Sequence, residues 1–328
     1  MPVPSGALRF NSDSGKLEYY NGEAWWQIDN FSADNATGGA RGVFGGGETP
    51  NTNTIDYITI STTGNAIDFG DLISSATTHM IAGCSSSTRG LFGGGRTPTL
   101  INNIDYITIA TTSNALDFGD LLSPTLFAAG LSNSTRGIFA GGGPSATNTI
   151  DYITISTTGN AIDFGDLTIN NGSPSGCSSS TRGIVGGGTV PGGTRTNTID
   201  FITISSTGNA QDFGDLTVAR SNTGCSSNAI RGVFGGGYIV PTRTNIIDYI
   251  TIASTGNAIS FGNLTRTNDE LSSCSNSNRA IFAGGGPSTR TNTIDYVTIM
   301  STGNAVDFGD LTVARSGLGA CSNGHGGL

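Results

Sequence analysis

The chain has 328 residues, a formal net charge of −9 and 12% charged residues, with Lys16 as its sole lysine. So little positive charge excludes nucleic acid, which is held by a cationic track that displaces counterions, and excludes anionic membrane surfaces. No apolar run approaches the ~20 residues that span a bilayer, so no membrane insertion is expected.

The opening Met1-Pro-Val-Pro-Ser-Gly lacks the basic and apolar blocks of a signal peptide. The expectation is a chain made in the cytoplasm and not exported by that route. Residues 1–30 predict a small β module. Leu8–Asn11, Lys16–Tyr20 and Ala24–Ile28 read as three short strands, joined by the turn signals Ser12-Asp13-Ser14-Gly15 and Asn21-Gly22. Both tryptophans, Trp25 and Trp26, fall here. So small a meander is marginal alone, and the two rings are its candidate assembly contacts. Residues 31–40 read as a linker.

From residue 41 the chain repeats. Arg41, Arg89, Arg136, Arg182, Arg231 and Arg279 each open a unit of 46–49 residues. Each unit has a short apolar run ending in glycines (Gly42–Gly47 in the first), a branched and aromatic run (Ile55–Ile60), a turn (Thr62-Thr63-Gly64-Asn65) and a third run (Ala66–Leu72). A fourth run, such as Ile81–Ser86, precedes the next arginine. No segment holds a helical period. Four short strands per ~47 residues make one propeller blade, so the fold class is all-β, a six-bladed β-propeller over residues 41–328. The last unit ends in Gly319-Ala320-Cys321-Ser322, matching Ala82-Gly83-Cys84-Ser85. That C-terminal strand is expected to be the innermost strand of the first blade, closing the ring and removing an open sheet edge.

Cys84, Cys177, Cys225, Cys274 and Cys321 read as one repeat-equivalent site, with Leu131 there in the remaining unit. A site that takes Cys or Leu is a small buried apolar one. Equivalent sites on packed sheets lie ~10 Å apart, beyond the ~7 Å a disulfide tolerates, so free thiols are expected.

The glycine cluster after the second strand, the aromatic on the third (Tyr57, Tyr106, Tyr152, Phe201, Tyr249, Tyr296) and the Phe on the fourth (Phe69, Phe118, Phe164, Phe213, Phe261, Phe308) together resemble a kelch repeat, with Phe where kelch blades often carry Trp. The string from Gly6 to Trp26, Gly-Ala-Leu-Arg-Phe-Asn-Ser-Asp-Ser-Gly-Lys-Leu-Glu-Tyr-Tyr-Asn-Gly-Glu-Ala-Trp-Trp, resembles a short module recurrent in bacteriophage tail and fibre proteins. That resemblance implies a virion component, partnered by other virion tail proteins and by copies of itself.

Motifs that could carry chemistry dissolve into the repeat. Asp-Phe-Gly recurs at Asp68, Asp117, Asp163, Asp212 and Asp307 without a kinase's lysine strand or catalytic loop. The Gly-Gly-Gly runs lack the Lys-Ser/Thr and helix of a phosphate loop. The repeated aspartates, such as Asp56, Asp68 and Asp71, are expected to cap turns and pair with the blade arginine rather than collect calcium. His79 and His325 are the only histidines, too few for a redox copper centre. A glycan hydrolase needs two carboxylates flanking one bond. Acids that break the repeat, Glu48, Asp269 and Glu270, are its only candidates. No enzyme, cofactor or metal is expected.

Two connections keep their length and two do not. Ile60 to Asp68 spans eight residues, as does its equivalent in every unit, whereas the loop after each glycine cluster holds 6–10 residues and the blade-to-blade connection also varies. Antiparallel order puts both variable connections on one face, where binding on a rigid scaffold usually lies. The candidate ligand-binding residues there are Met80, Leu100, Ile101, Phe127, Arg195, Tyr238, Ile239, Arg243 and Arg290. Aromatic and arginine side chains suit glycan or protein contact. The expected function is therefore attachment, a tail or fibre propeller binding a host-surface glycan or protein. A purely structural or decoration protein is the alternative, with a glycan-cleaving enzyme behind it.

Overall fold

The structure, a computed structural model, describes residues 3–11, 16–27, 40–48, 52–73, 80–286 and 289–328. The linker up to residue 39, His79 and the side chain of Trp26 lie outside what is described. By contact the chain falls into two compact units, Met1–Gly38 and Gly39–Leu328.

The first unit is a three-stranded antiparallel meander, Leu8–Asn11, Lys16–Tyr20 and Trp25–Gln27. Asn21 Oδ1 accepts from the N–H groups of Glu23 and Ala24, which shapes the second hairpin. Arg9 lies over the Trp25 ring at 4.2 Å and pairs with Glu18 at 2.8 Å. Among the described residues of this unit, Val3, Leu8 and Tyr19 are exposed large apolar side chains.

The second unit is six antiparallel blades of four strands each, and no helix occurs among the described residues. Blade 2 shows the pattern: Ala82–Ser85 innermost, then Arg89–Gly93, Asn103–Thr108 and Leu116–Asp120. Blades 3 to 6 begin with Ala129–Ser132, Ser175–Ser178, Gly224–Ser227 and Ser272–Ser275. Blade 1 takes its innermost strand from the far end of the chain: Gly319–Ser322 pairs antiparallel with Arg41–Gly45, Cys321 opposite Val43. Apolar clusters fill the seams between neighbouring blades. Val43, Ile55, Phe69 and Leu72 of blade 1 pack with Ile81, Phe92, Ile107 and Ile109 of blade 2. Within each blade the third-strand aromatic meets the fourth-strand Phe edge-on, at 5.9–6.1 Å between centroids.

Two glycines of the repeat are explained by close approach. In Asp-Phe-Gly, Gly119 sits at φ 143°, and a Cβ there would lie 2.5 Å from Gly159 O in the turn of the next blade. The tripeptide is thus a blade-packing device. The glycine after five of the six blade arginines faces the cysteine site of the preceding blade: a Cβ on Gly90 would meet Cys321 Sγ at 2.7 Å.

All five cysteines are free and buried. Their assignment to one site needs a correction. Cys84, Cys177, Cys274 and Cys321 pair with the third residue of the next strand, as does Leu131, but in blade 5 that partner, Val233, faces Ser226. Cys225 is one residue earlier and points to the other side of the strand. The smaller Ser226 coincides with Ala280, which stands where five blades carry the glycine after arginine.

Candidate functional site

The blade arginines do not pair with the repeated aspartates as expected. Each lies over its own blade's aromatic ring at 4.4–4.8 Å. Each donates from Nη1 to a carbonyl of the next blade at 2.9–3.2 Å, Arg41 to Ile109 and so on around to Arg279 and Ile60. The turn asparagines pin the same seams: Asn65 Oδ1 accepts from Asp310 N–H at 3.1 Å.

Around the axis runs a belt the sequence did not announce. Ser85, Ser132, Ser178, Ser227, Ser275 and Ser322 are each at most 2% exposed. Each hydroxyl donates to the carbonyl of its counterpart in the preceding blade, at 2.5–2.7 Å, and the circle is complete. Serine follows the cysteine site in every unit, which was the available signal.

The end of the chain stoppers this axis on the face of constant turns. His325 Nε2 donates to Ser85 O at 3.0 Å, and Nδ1 accepts from Gly327 N–H at 3.1 Å, which fixes a neutral tautomer. Gly326 N–H reaches Ser227 O. Burial, only partly opposed by the Ser85 bond, pushes His325 down from 6.5 to about 4. A folded pKa below the unfolded one means that the free tail takes up the proton first. Docking is therefore fully favourable above pH ~6.5 and weakens as pH falls towards about 4. The side chain keeps some solvent contact, so the expected loss is ~1–3 kcal/mol. Calorimetry at pH 7.5 and 4.5 checks it: the pH-dependent drop in the parent should shrink in His325→Asn.

The opposite mouth is a second ring. Met80, Phe127, Ser173, Asn222 and Glu270 all hold φ between 54° and 61°, and Gly317 completes the set at 64°. Left-handed backbone in non-glycine residues costs ~1–3 kcal/mol each and persists only when its surroundings enforce it. Here the enforcement is a chain of N–H to carbonyl bonds from blade to blade: Met80 to Gly317, Phe127 to Met80, Asn222 to Ser173, Glu270 to Asn222 and Gly317 to Glu270. These residues line a recess of about 100 Å³. The backbone is the same six times and the side chains all differ: thioether, aromatic, hydroxyl, amide, carboxylate and hydrogen.

The structure sorts the sequence candidates against this mouth. Met80 and Phe127 belong to it. Ser173, Asn222, Glu270 and Gly317 were missed: Ser and Glu carry no signal for left-handed backbone, and the signal of Asn and Gly is shared with every turn in the chain. Tyr238 sits beside the ring through a bridge to Ser221, but Arg195 and Arg243 lie over its aromatic ring at 4.9 and 5.2 Å. Its π-surface is already engaged. Ile239 pairs with Thr242 in the same hairpin. Arg290 is held by Glu48, with Nη2 2.5 Å from Oε1, and by Glu270 at 3.6 Å. Glu270 also accepts from Ser316 Oγ, and burial is the main cause that raises its carboxyl and that of Asp269. Two of the acids weighed for hydrolysis thus share one guanidinium, while Asp269 pairs with Arg243. Leu100 and Ile101 stand apart, Leu100 in a two-residue hairpin with Arg96 and Ile101 bonded to Gly95 O. Among the described residues no three His, Cys, Asp or Glu side chains converge on one point.

The chain matches no protein-family model and no curated protein sequence.

Proposed function

We propose that this protein is a bacteriophage virion component of a tail or fibre, and that its propeller attaches to a host-surface glycan or protein through the mouth formed by Met80, Phe127, Ser173, Asn222 and Glu270. The observation that carries the reading is the ring itself. Six positions share one left-handed backbone, five of them linked to the preceding blade by the same N–H to carbonyl bond, yet they present six different side chains, which is how a rigid platform offers a varied surface. A platform held this way loses little ordering entropy on binding. Phe127 supplies a stacking surface for a sugar ring, and Ser173, Asn222 and Glu270 supply the hydrogen bonds around it. The tail-module likeness of residues 6–26 supports the virion context. The module makes the attachment to other tail proteins or to further copies of the chain, with Trp25 and Trp26 and exposed Leu8 and Tyr19 as contacts.

Phe127→Ala should weaken retention on host cells by ~5–30-fold. Thr63→Ala, in the exposed constant turn of the opposite face, should leave it unchanged. Flow cytometry with labelled protein decides: equal retention of both variants, or loss in Thr63→Ala alone, rejects the mouth. A chain that joins virion partners and ignores host cells altogether is the structural or decoration protein instead.

A further inference from the structure

Each blade seam carries a latch, and among the described residues the latch between blades 2 and 3 leaves one oxygen of its acid without a partner. The third-strand aspartates Asp56, Asp105, Asp151, Asp200, Asp248 and Asp295 are all at most 9% exposed. Each accepts on Oδ2 a backbone N–H from the preceding blade's connection, that of Thr312 on Asp56 and that of Leu122 on Asp151. At four seams the donor residue is a threonine whose hydroxyl binds the carboxylate as well. Four residues beyond the conserved leucine the same connection sends a second side chain into the seam. Arg315 and Arg220 fill it completely, with Nη2 3.2 and 3.1 Å from Asp56 and Asp248 and a further bond to the carbonyl of Phe44 or Phe234. Asn171 and Asn268 fill it by bonding the carbonyls of Gly187 and Gly284.

Between blades 2 and 3 the position is Thr125, and Leu122 stands where four of the seams have threonine. Neither side chain bonds the acid, which only the Leu122 N–H reaches. Asp151 Oδ1 is buried without a hydrogen-bond partner, and so is Thr125 Oγ1. The two residues line a recess of about 200 Å³, walled by Leu122, Pro124, Phe139 and Pro144. One water needs roughly 10–15 Å³ in the same measure, so the space is many times that. Phe139 faces Asp151 in register as Phe44 faces Asp56 and Phe234 faces Asp248. The recess therefore repeats the carboxylate and carbonyl arrangement that holds a guanidinium at two other seams, without the arginine. Ala146, at φ 48°, also lines it.

We propose that the recess between blades 2 and 3 binds a guanidinium group from outside the chain, an arginine side chain whether free or borne on a protein partner, with Asp151 as its counter-ion. A carboxylate suits guanidinium because the planar fork matches its two oxygens, and flat apolar walls accept the faces of the plane. The net charge of −9 favours approach of a cation. Burial also raises the Asp151 carboxyl, so a bound cation would be held more firmly as pH rises.

The test titrates propylguanidinium chloride into the full-length ¹⁵N-labelled protein and follows the Leu122 amide, which donates to Asp151. Neutral propylurea is the control. A saturable shift with propylguanidinium and none with propylurea is expected. Thr125→Arg, which supplies the missing side chain internally, should abolish the response while the protein stays folded. Asp151→Asn should weaken binding at least tenfold. No saturable shift below 50 mM ligand, an equal shift with propylurea, or undiminished binding in Thr125→Arg overturns the proposal. A short peptide with one arginine separates the sources: at least tenfold tighter binding than propylguanidinium assigns the recess to a protein partner, and equal binding assigns it to the free amino acid.

Discussion

Removing residues 316–328 should lower the melting temperature by on the order of 10–20 °C and convert the propeller into an aggregating, open ring. The deletion takes away the innermost strand of blade 1, Gly319–Ser322, and leaves Arg41–Gly45 as a bare edge. It cuts the serine belt on both sides, since Ser322 donates to Ser275 O and accepts through its carbonyl from Ser85. It removes Asn323, whose Oδ1 caps Arg41 N–H, and the His325 stopper. Leu318 and Cys321 leave the seams on either side of blade 1. Each hydrogen bond is worth ~0.5–1.5 kcal/mol and each buried apolar side chain ~1.5–3 kcal/mol, so the whole loss is on the order of 5–10 kcal/mol. Calorimetry with light scattering measures it. A melting temperature within 2 °C of the parent would mean that the ring is closed by something other than this strand.

The repeat made the blades legible because a propeller imposes the same strand pattern at a fixed period, and the closing strand could be read because Gly319–Ser322 copies Ala82–Ser85. What could not be read is what differs between blades. Matching units by residue type placed Cys225 with the other cysteines, although the six-residue interval from Cys225 to Arg231, five elsewhere, already marked the offset. Strand register depends on hydrogen-bond partners, and a cysteine one residue early looks identical in a string. The serine belt hid for a different reason: serine suits turns and surfaces so commonly that its recurrence carries weight only once the six strands face one axis. The left-handed ring was nearly invisible, since Met80, Phe127 and Glu270 have no preference for the conformation they hold. The latch acids were assigned to the wrong arginines. Arg41 and its equivalents recur with Asp56 and its equivalents, so pairing them seemed natural, whereas the actual partners, Arg220 and Arg315, occur at only two seams.

Those two arginines give the largest expected single-residue effect. Arg315→Ala should destabilise the propeller by ~3–5 kcal/mol, the usual result of stranding one member of a buried ion pair. Both side chains of the Arg315 and Asp56 pair are fully buried, so the carboxylate left behind has no water to turn to. Thr312 still donates to it through N–H and hydroxyl, which keeps the loss from being larger. The pair itself is not a large net stabiliser, because Arg315 Nε and Nη1 are buried without partners and desolvation offsets much of the attraction. Hence Asp56→Asn combined with Arg315→Leu should regain more than half of what Arg315→Ala loses. Arg220→Ala should behave alike through Asp248. The double variant Arg220→Ala/Arg315→Ala should lose close to the sum, because the two latches lie at different seams and share no residue. Chemical denaturation monitored by tyrosine fluorescence gives all of these differences. A loss below 1 kcal/mol in Arg315→Ala would show that water reaches Asp56 once the arginine is gone. The seam at Asp151 would then be an ordinary wet gap, with no stranded acid waiting for a cation.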